Sequence, residues 1–173
     1  MPTFDLHIVT PDDFDQILDV YRQSEDFLAL GSDPEATLEM VKNDFERCQK
    51  DSGVFCSIKI DNKLVGVLDF ISAGYQQEAH TAYVELLMIA SDYRDQGLGS
   101  QVLERLEEML RAWHIYAVLC DVQINNPGGL HFWQQHGYSI AGGPELQNDQ
   151  TVVYHLRKNL PALPRPSFGQ LWK

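Results

Sequence analysis

Residues 54–112 constrain the fold of this chain most. "VFCSIKIDNKLVGVLDFISAGY" reads as two strands joined by the turn Asp61-Asn62-Lys63, and "AYVELLMIA" as a third, nearly continuous in its apolar character. Three such strands in succession predict an antiparallel meander. In "LGSQVLERLEEMLRAWH" the apolar residues Leu98, Val102, Leu106, Met109 and Trp113 recur every three or four positions, with Leu103 and Leu110 alongside. Glu104, Arg105, Glu107, Glu108 and Arg111 face away, the pattern of an amphipathic helix packed on a sheet.

The flanking segments complete the architecture. "FDLHIV" alternates as a strand, and "TPDDFDQILDVYRQ" follows as a helix with Thr10 as N-cap and Pro11 at its first position. "DPEATLEMVKNDFERCQ" predicts a second helix capped by Asp33, with Leu38, Val41 and Phe45 along one face. Between them, "SEDFLALGS" is a loop carrying apolar residues that a purely solvated loop does not need. After the central helix come the strand "IYAVLCDVQI", the short helix "NPGGLHFWQQH" and the strands "YSIAGG" and "TVVYHLRKN". The predicted order is βααβββαβαββ, an α/β chain whose mixed, mostly antiparallel sheet of about seven strands carries helices on both faces. Residues 1–158 read as a single domain and 159–173 as a proline-rich tail; 173 residues suffice for one full core.

A formal net charge of −12 argues against nucleic acid and anionic membranes as partners and favours a cationic one, although acidic surface also serves solubility alone. Cys48, Cys56 and Cys120 show no paired spacing and read as reduced, mostly buried thiols; Cys120 lies in an apolar strand run and reads as core. Six scattered histidines, His131 and His136 among them as expected surface residues, give no metal-site spacing, so no metal is expected. "MPTFDLHIVT" lacks the regions of a signal peptide, and no run of about eighteen apolar residues occurs. A cytoplasmic location is expected.

The turn "RDQGLGS" opens the central helix with Gly97 and Gly99 and no acidic cap. Two glycines can simply ease a strand-to-helix connection. They also let an anion approach the free N–H groups of a helix start, where the partial charge is positive, and Arg94 stands close enough in sequence to add a charged contact. No Gly-Lys-Ser/Thr follows as a P-loop requires, and the third glycine of a dinucleotide fold is absent.

"RDQGLG" resembles the Arg/Gln-x-x-Gly-x-Gly/Ala signature of the GNAT superfamily of acyl-coenzyme A-dependent N-acetyltransferases. The family's second motif is matched by Asn126, a helix and then "FWQQHGY", with Gly137 eleven residues after the asparagine. The resemblance spans Phe4 to Lys158. It implies a GNAT fold and transfer of an acetyl group from acetyl-CoA to a primary amine by direct attack in a ternary complex. Backbone groups of Gln96, Gly97, Leu98, Gly99 and Ser100 would hold the pyrophosphate, with Arg94 beside it. Met88 and Ile89 would pair with the pantetheine arm through their backbones, a backbone N–H near Ile89 would meet the oxyanion, and the Asn126 side chain would contact the arm.

The chemistry needs a base, and Glu85 is the only carboxylate in the otherwise apolar "AYVELLMI". It could equally be a glutamate that keeps a sheet edge soluble. Where the family often has a tyrosine, this chain has Trp133, whose indole N–H donates a hydrogen bond but does not readily release its proton. Tyr138, Tyr83 and Tyr154 are candidate replacements. The departure from the family keeps a second reading open, an idle coenzyme A-binding or sensing domain. The acceptor, a small molecule or a peptide amine, is not written in the sequence; Glu25, Asp26 and Phe27 suggest a cationic or amphipathic one. A homodimer is left open.

Overall fold

The computed structural model describes residues 3–162. Residues 163–173, most of the proline-rich tail, lie outside them. Strand β1 (Asp5–Ile8) leads through a 3-10 turn (Pro11–Asp13) into α1 (Phe14–Arg22), followed by the one-turn α2 (Glu25–Leu28) and α3 (Leu38–Lys50). The meander is β2 (Val54–Ile60), β3 (Lys63–Ile71) and β4 (Thr81–Ile89). Then come α4 (Leu98–Ala112), β5 (Ala117–Gln123), α5 (Pro127–Gln135), β6 (Ser139–Leu146) and β7 (Val152–Asn159). Leaving aside 3-10 turns and α2, this is the predicted order.

The seven strands form one sheet in the order β1-β2-β3-β4-β5-β7-β6. Every neighbouring pair is antiparallel except β4 and β5. One core joins the sheet to α4, where Leu98, Val102, Leu103, Leu106 and Leu110 are buried, and to Trp133 of α5. The other joins the opposite face to α1 and α3 through Ile17, Val20, Tyr21 and Val41. Each such side chain removed from water contributes about 1.5–3 kcal/mol, so the helices are held by their apolar stripes and the sheet is covered on both faces.

Three local expectations are corrected. The cap of α3 is Thr37 rather than Asp33: its extended backbone lets the hydroxyl accept the Met40 N–H at 3.1 Å. The Glu25 carboxylate takes the Ala36 N–H at 3.1 Å, which ties the preceding segment to α2 and delays the helix. In α4, Glu107 faces inward, not to solvent. It is 5% exposed, and Lys158 Nζ of β7 reaches both its carboxylate oxygens at 2.7 and 2.6 Å. The Tyr138 hydroxyl adds a bond at 3.3 Å. Trp113, by contrast, caps the end of α4 and is half exposed.

Candidate active site

The site originates where β4 and β5 part. Their parallel pairing runs only from Thr81–Ala117 to Val84–Cys120, yet β4 continues to Ile89 and β5 to Gln123. Beyond Val84 each strand keeps its outer antiparallel partner, so the sheet opens into a wedge with unpaired backbone on its inner lips. At the apex, Asp69 of β3 pairs with Leu86 and Phe70 pairs with Val84, which leaves Glu85 as the extra residue of a β-bulge. A bulge re-aims its side chain. Glu85 consequently enters the cleft instead of joining the alternation of an apolar strand.

Two clefts meet at this wedge. The first, of about 580 Å³, is lined by Met88, Ile89, Arg94, Gly97, Leu98, Gly99 and Ser100 on one side and by Asn126 and Trp133 on the other. The second, of about 490 Å³, contains Glu85 with Tyr83, Arg47, Asp121 and Asp149. Phe27, Leu87, Asn126 and Trp133 border both, so a group in one can meet a group in the other. Of the residues assigned from the sequence to the coenzyme and to the base, only Gln96 does not line the wedge; its side chain bonds the Asp92 carbonyl at 2.8 Å.

The start of α4 leaves its backbone donors uncapped and open. Gly97 occupies the N-cap in the left-handed region (φ 79°), no side chain caps the helix, and its first turn has no acidic residue. The helices α3 and α5, by contrast, are capped by Thr37 and Asn126. A Cβ at Gly97 would meet nothing nearer than Gln101 Nε2 at 4.0 Å, so the backbone donors there are open to approach.

Arg94 is already engaged. Its Nε donates to the Ile89 carbonyl at 2.8 Å, Nη1 to Asp26 at 2.6 Å and Nη2 to the Gln23 carbonyl at 3.4 Å. It braces the end of β4 against α1 and α2, and its bond holds the Asp26 carboxyl below the usual carboxylate range. Asn126 is also partly committed: its Oδ1 accepts the Gly129 N–H at 2.8 Å as the cap of α5, and the residue borders both clefts.

Glu85 has a side chain 35% exposed, with Oε1 3.5 Å from Arg47 Nη2. Burial, reinforced by the Asp69, Asp44 and Asp121 carboxylates, raises its pKa above the ordinary glutamate value in spite of Arg47. That direction suits a general base working near neutrality.

The tyrosines divide clearly. Tyr138 is buried against Glu107, and Tyr154 packs on the core outside both clefts. Tyr83 lines the second cleft with Tyr75 stacked on it at 4.2 Å. Burial, with Asp121 and Glu85 nearby, pushes its hydroxyl strongly up, which makes it a poor proton donor. Trp133 is 8% exposed and wedged edge-on between Phe132 and Tyr138 at 5.4 and 4.8 Å. Trp133→Tyr is therefore expected to cost about 1–3 kcal/mol of stability through the void it leaves, with no gain in turnover. Thermal melting and rate measurements over a range of pH check this, and a several-fold rate gain with a new alkaline limb would refute it.

All three cysteines are free and buried, and burial pushes the Cys120 thiol well up, away from nucleophilic use. His131 is exposed as expected, whereas His136 is half-buried and its Nδ1 lies 2.7 Å from the Phe132 carbonyl. Among the described residues, no cluster of three or more His, Cys, Asp or Glu could hold a metal ion, and no helix is long and apolar enough to cross a membrane.

The model of the Acetyltransferase (GNAT) family matches residues 14–138. The chain belongs to the GNAT acetyltransferase family. A solved acetyltransferase from Thermus thermophilus is 29% identical, with a TM-score of 0.77 over 92% of this chain and 100% of that one. Two more distant structures share the fold. A ribosomal-protein-alanine N-acetyltransferase from Brucella melitensis is 15% identical, with a TM-score of 0.68 over 90% of this chain and 99% of that one. The PaiA N-acetyltransferase from Thermoplasma acidophilum, solved with coenzyme A, is 16% identical, with a TM-score of 0.64 over 91% and 99%. GNAT enzymes use acetyl-CoA and act on amine acceptors. The wedge in this GNAT domain thus lies between the two glycine-bearing motifs that resemble the family signature.

Proposed function

We propose that this GNAT domain transfers an acetyl group from acetyl-CoA to a primary amine by direct attack, with Glu85 as general base. The observation that carries the reading is the meeting of two clefts at the β4–β5 wedge, one bordered by an uncapped helix start and the other by a bulged carboxylate.

The residues present fit the coenzyme. The N–H groups at the start of α4 suit its pyrophosphate, the unpaired lips of the wedge suit its amide-bearing arm, and the Asn126 NH₂ suits an amide carbonyl. Arg94 joins the phosphate contacts only by exchanging Asp26 for a phosphate oxygen. Acetyl-CoA supplies the activated acyl group as a thioester.

The transfer then has three requirements. Glu85 accepts a proton from the attacking amine, directly or through water. A backbone N–H near Ile89 stabilises negative charge on the acyl oxygen as the carbon–nitrogen bond forms. The thiolate leaves with hydrogen-bond or solvent help, since a thiol of reference pKa about 8.5 is a tolerable leaving group near neutral pH. On this account Trp133 fills the position of the family's tyrosine as packing at the junction of the clefts, and its loss of an acidic hydroxyl does not imply loss of activity.

Glu85, Asp121 and Asp149 give the acceptor side an acidic wall, against Arg47 alone among its basic residues, which favours a cationic amine. Following thiol release from acetyl-CoA across a panel of small amines, polyamines and peptides tests the function. Amine-dependent release is the expected result. Binding of coenzyme A without release on any amine would favour the idle binding domain instead.

A further inference from the structure

A chain of polar contacts runs from the α1–α3 core to the acceptor cleft. It starts at Tyr21, fully buried on α1, whose hydroxyl donates to Asp44 Oδ2 at 2.7 Å. The other oxygen of Asp44, on α3, lies 3.1 Å from Arg47 Nη2. Asp44 and Arg47 are three residues apart on one helix and share a face. The same Nη2 faces Glu85 Oε1 across the gap between α3 and β4.

An exposed arginine pairing with a carboxylate contributes little, largely because ordering two long side chains offsets the attraction. Here much of that ordering is supplied beforehand. Asp44 has a side chain only 18% exposed and is held by Tyr21, so Arg47 is fixed by a partner that is itself fixed. Around Glu85 stand Asp69 from β3, Asp44 from α3 and Asp121 from β5, with the hydroxyls of Tyr75 and Tyr83 also near. Arg47 is the cation that opposes this group of carboxylates.

We propose that Arg47, braced by Asp44 and Tyr21, is a positioning residue for acetyl transfer, anchoring the Glu85 carboxylate in its charged form at the wall of the acceptor cleft. The proposal rests on the reading of Glu85 as base. Arg47 touches the base and acts through it. Its removal leaves burial and the three neighbouring carboxylates unopposed, so a higher pH is needed to ionise Glu85.

The test compares kcat/KM for one good amine acceptor, from mildly acidic to alkaline pH, in wild type, Arg47→Met, Arg47→Lys and Glu85→Gln. Arg47→Gln replaces the methionine variant if that fails to fold. Expected for Arg47→Met is an acid limb displaced upward by about one pH unit, which is about a tenfold loss on that limb and a recovery at alkaline pH. Arg47→Lys should restore most of the limb, and coenzyme A affinity should not change. An unshifted limb, or an equal loss at every pH, alongside an inactive Glu85→Gln would overturn the positioning role while leaving the base in place. A Glu85→Gln variant with nearly full activity would overturn both.

Discussion

Glu85→Gln is expected to lower turnover by roughly 10²–10⁴-fold, the usual contribution of general acid–base catalysis, while leaving coenzyme A affinity unchanged. The amide preserves the shape of the side chain at the bulge but cannot take a proton from the amine. The base acts only when deprotonated, and its pKa is raised by burial and by Asp69, Asp44 and Asp121 beyond what Arg47 offsets. Wild-type kcat/KM should therefore fall as pH drops through a value above the ordinary glutamate range, and the glutamine variant should lose that limb. Steady-state rates over pH, with calorimetric titration of coenzyme A, check both parts. Retention of most activity at neutral pH would reduce Glu85 to a strand residue and leave the amine to lose its proton elsewhere.

Ser100→Asp should separate stability from binding. Ser100 lies in the first turn of α4 and borders the cleft proposed for the coenzyme. An acid there complements the helix dipole and is expected to stabilise the fold by about 0.3–1 kcal/mol. The same carboxylate faces the proposed pyrophosphate, and like-charge repulsion of a few kcal/mol at the protein surface predicts an affinity loss of about 10–100-fold. Opposite signs for melting temperature and affinity are hard to obtain by damaging the protein. Unchanged affinity in the folded variant would remove the phosphate from this helix start. Gly97→Val is a weaker probe, because at φ 79° any side chain strains the backbone and stability and binding would fall together.

The order of elements was legible because each helix and strand declares its period locally, and α4 did so through five leucines and valines that the core indeed buries. What escaped the sequence depends on how elements meet. An apolar strand reads the same whether it is paired on one edge or two, so the parting of β4 from β5 after Val84 left no trace. The bulge that turns Glu85 into the cleft comes from its register against β3, and the inward turn of Glu107 goes with Lys158, fifty-one residues on. Both glycine motifs were readable because the positive φ of Gly97 and of Gly137 restricts residue type. Arg47, on an exposed helix face, offered only its three-residue spacing from Asp44. Arg94 was given an anion for its closeness in sequence to the glycine turn, and its contacts with Asp26 and the Ile89 carbonyl needed the folded chain.

Initial-rate kinetics with acetyl-CoA and an amine both varied test most directly whether two substrates meet in one wedge. Thiol release that requires the amine, with double-reciprocal lines that intersect, is the predicted result, since both must be bound before the acyl group moves. Parallel lines, or release of thiol at the same rate without any amine, would contradict it.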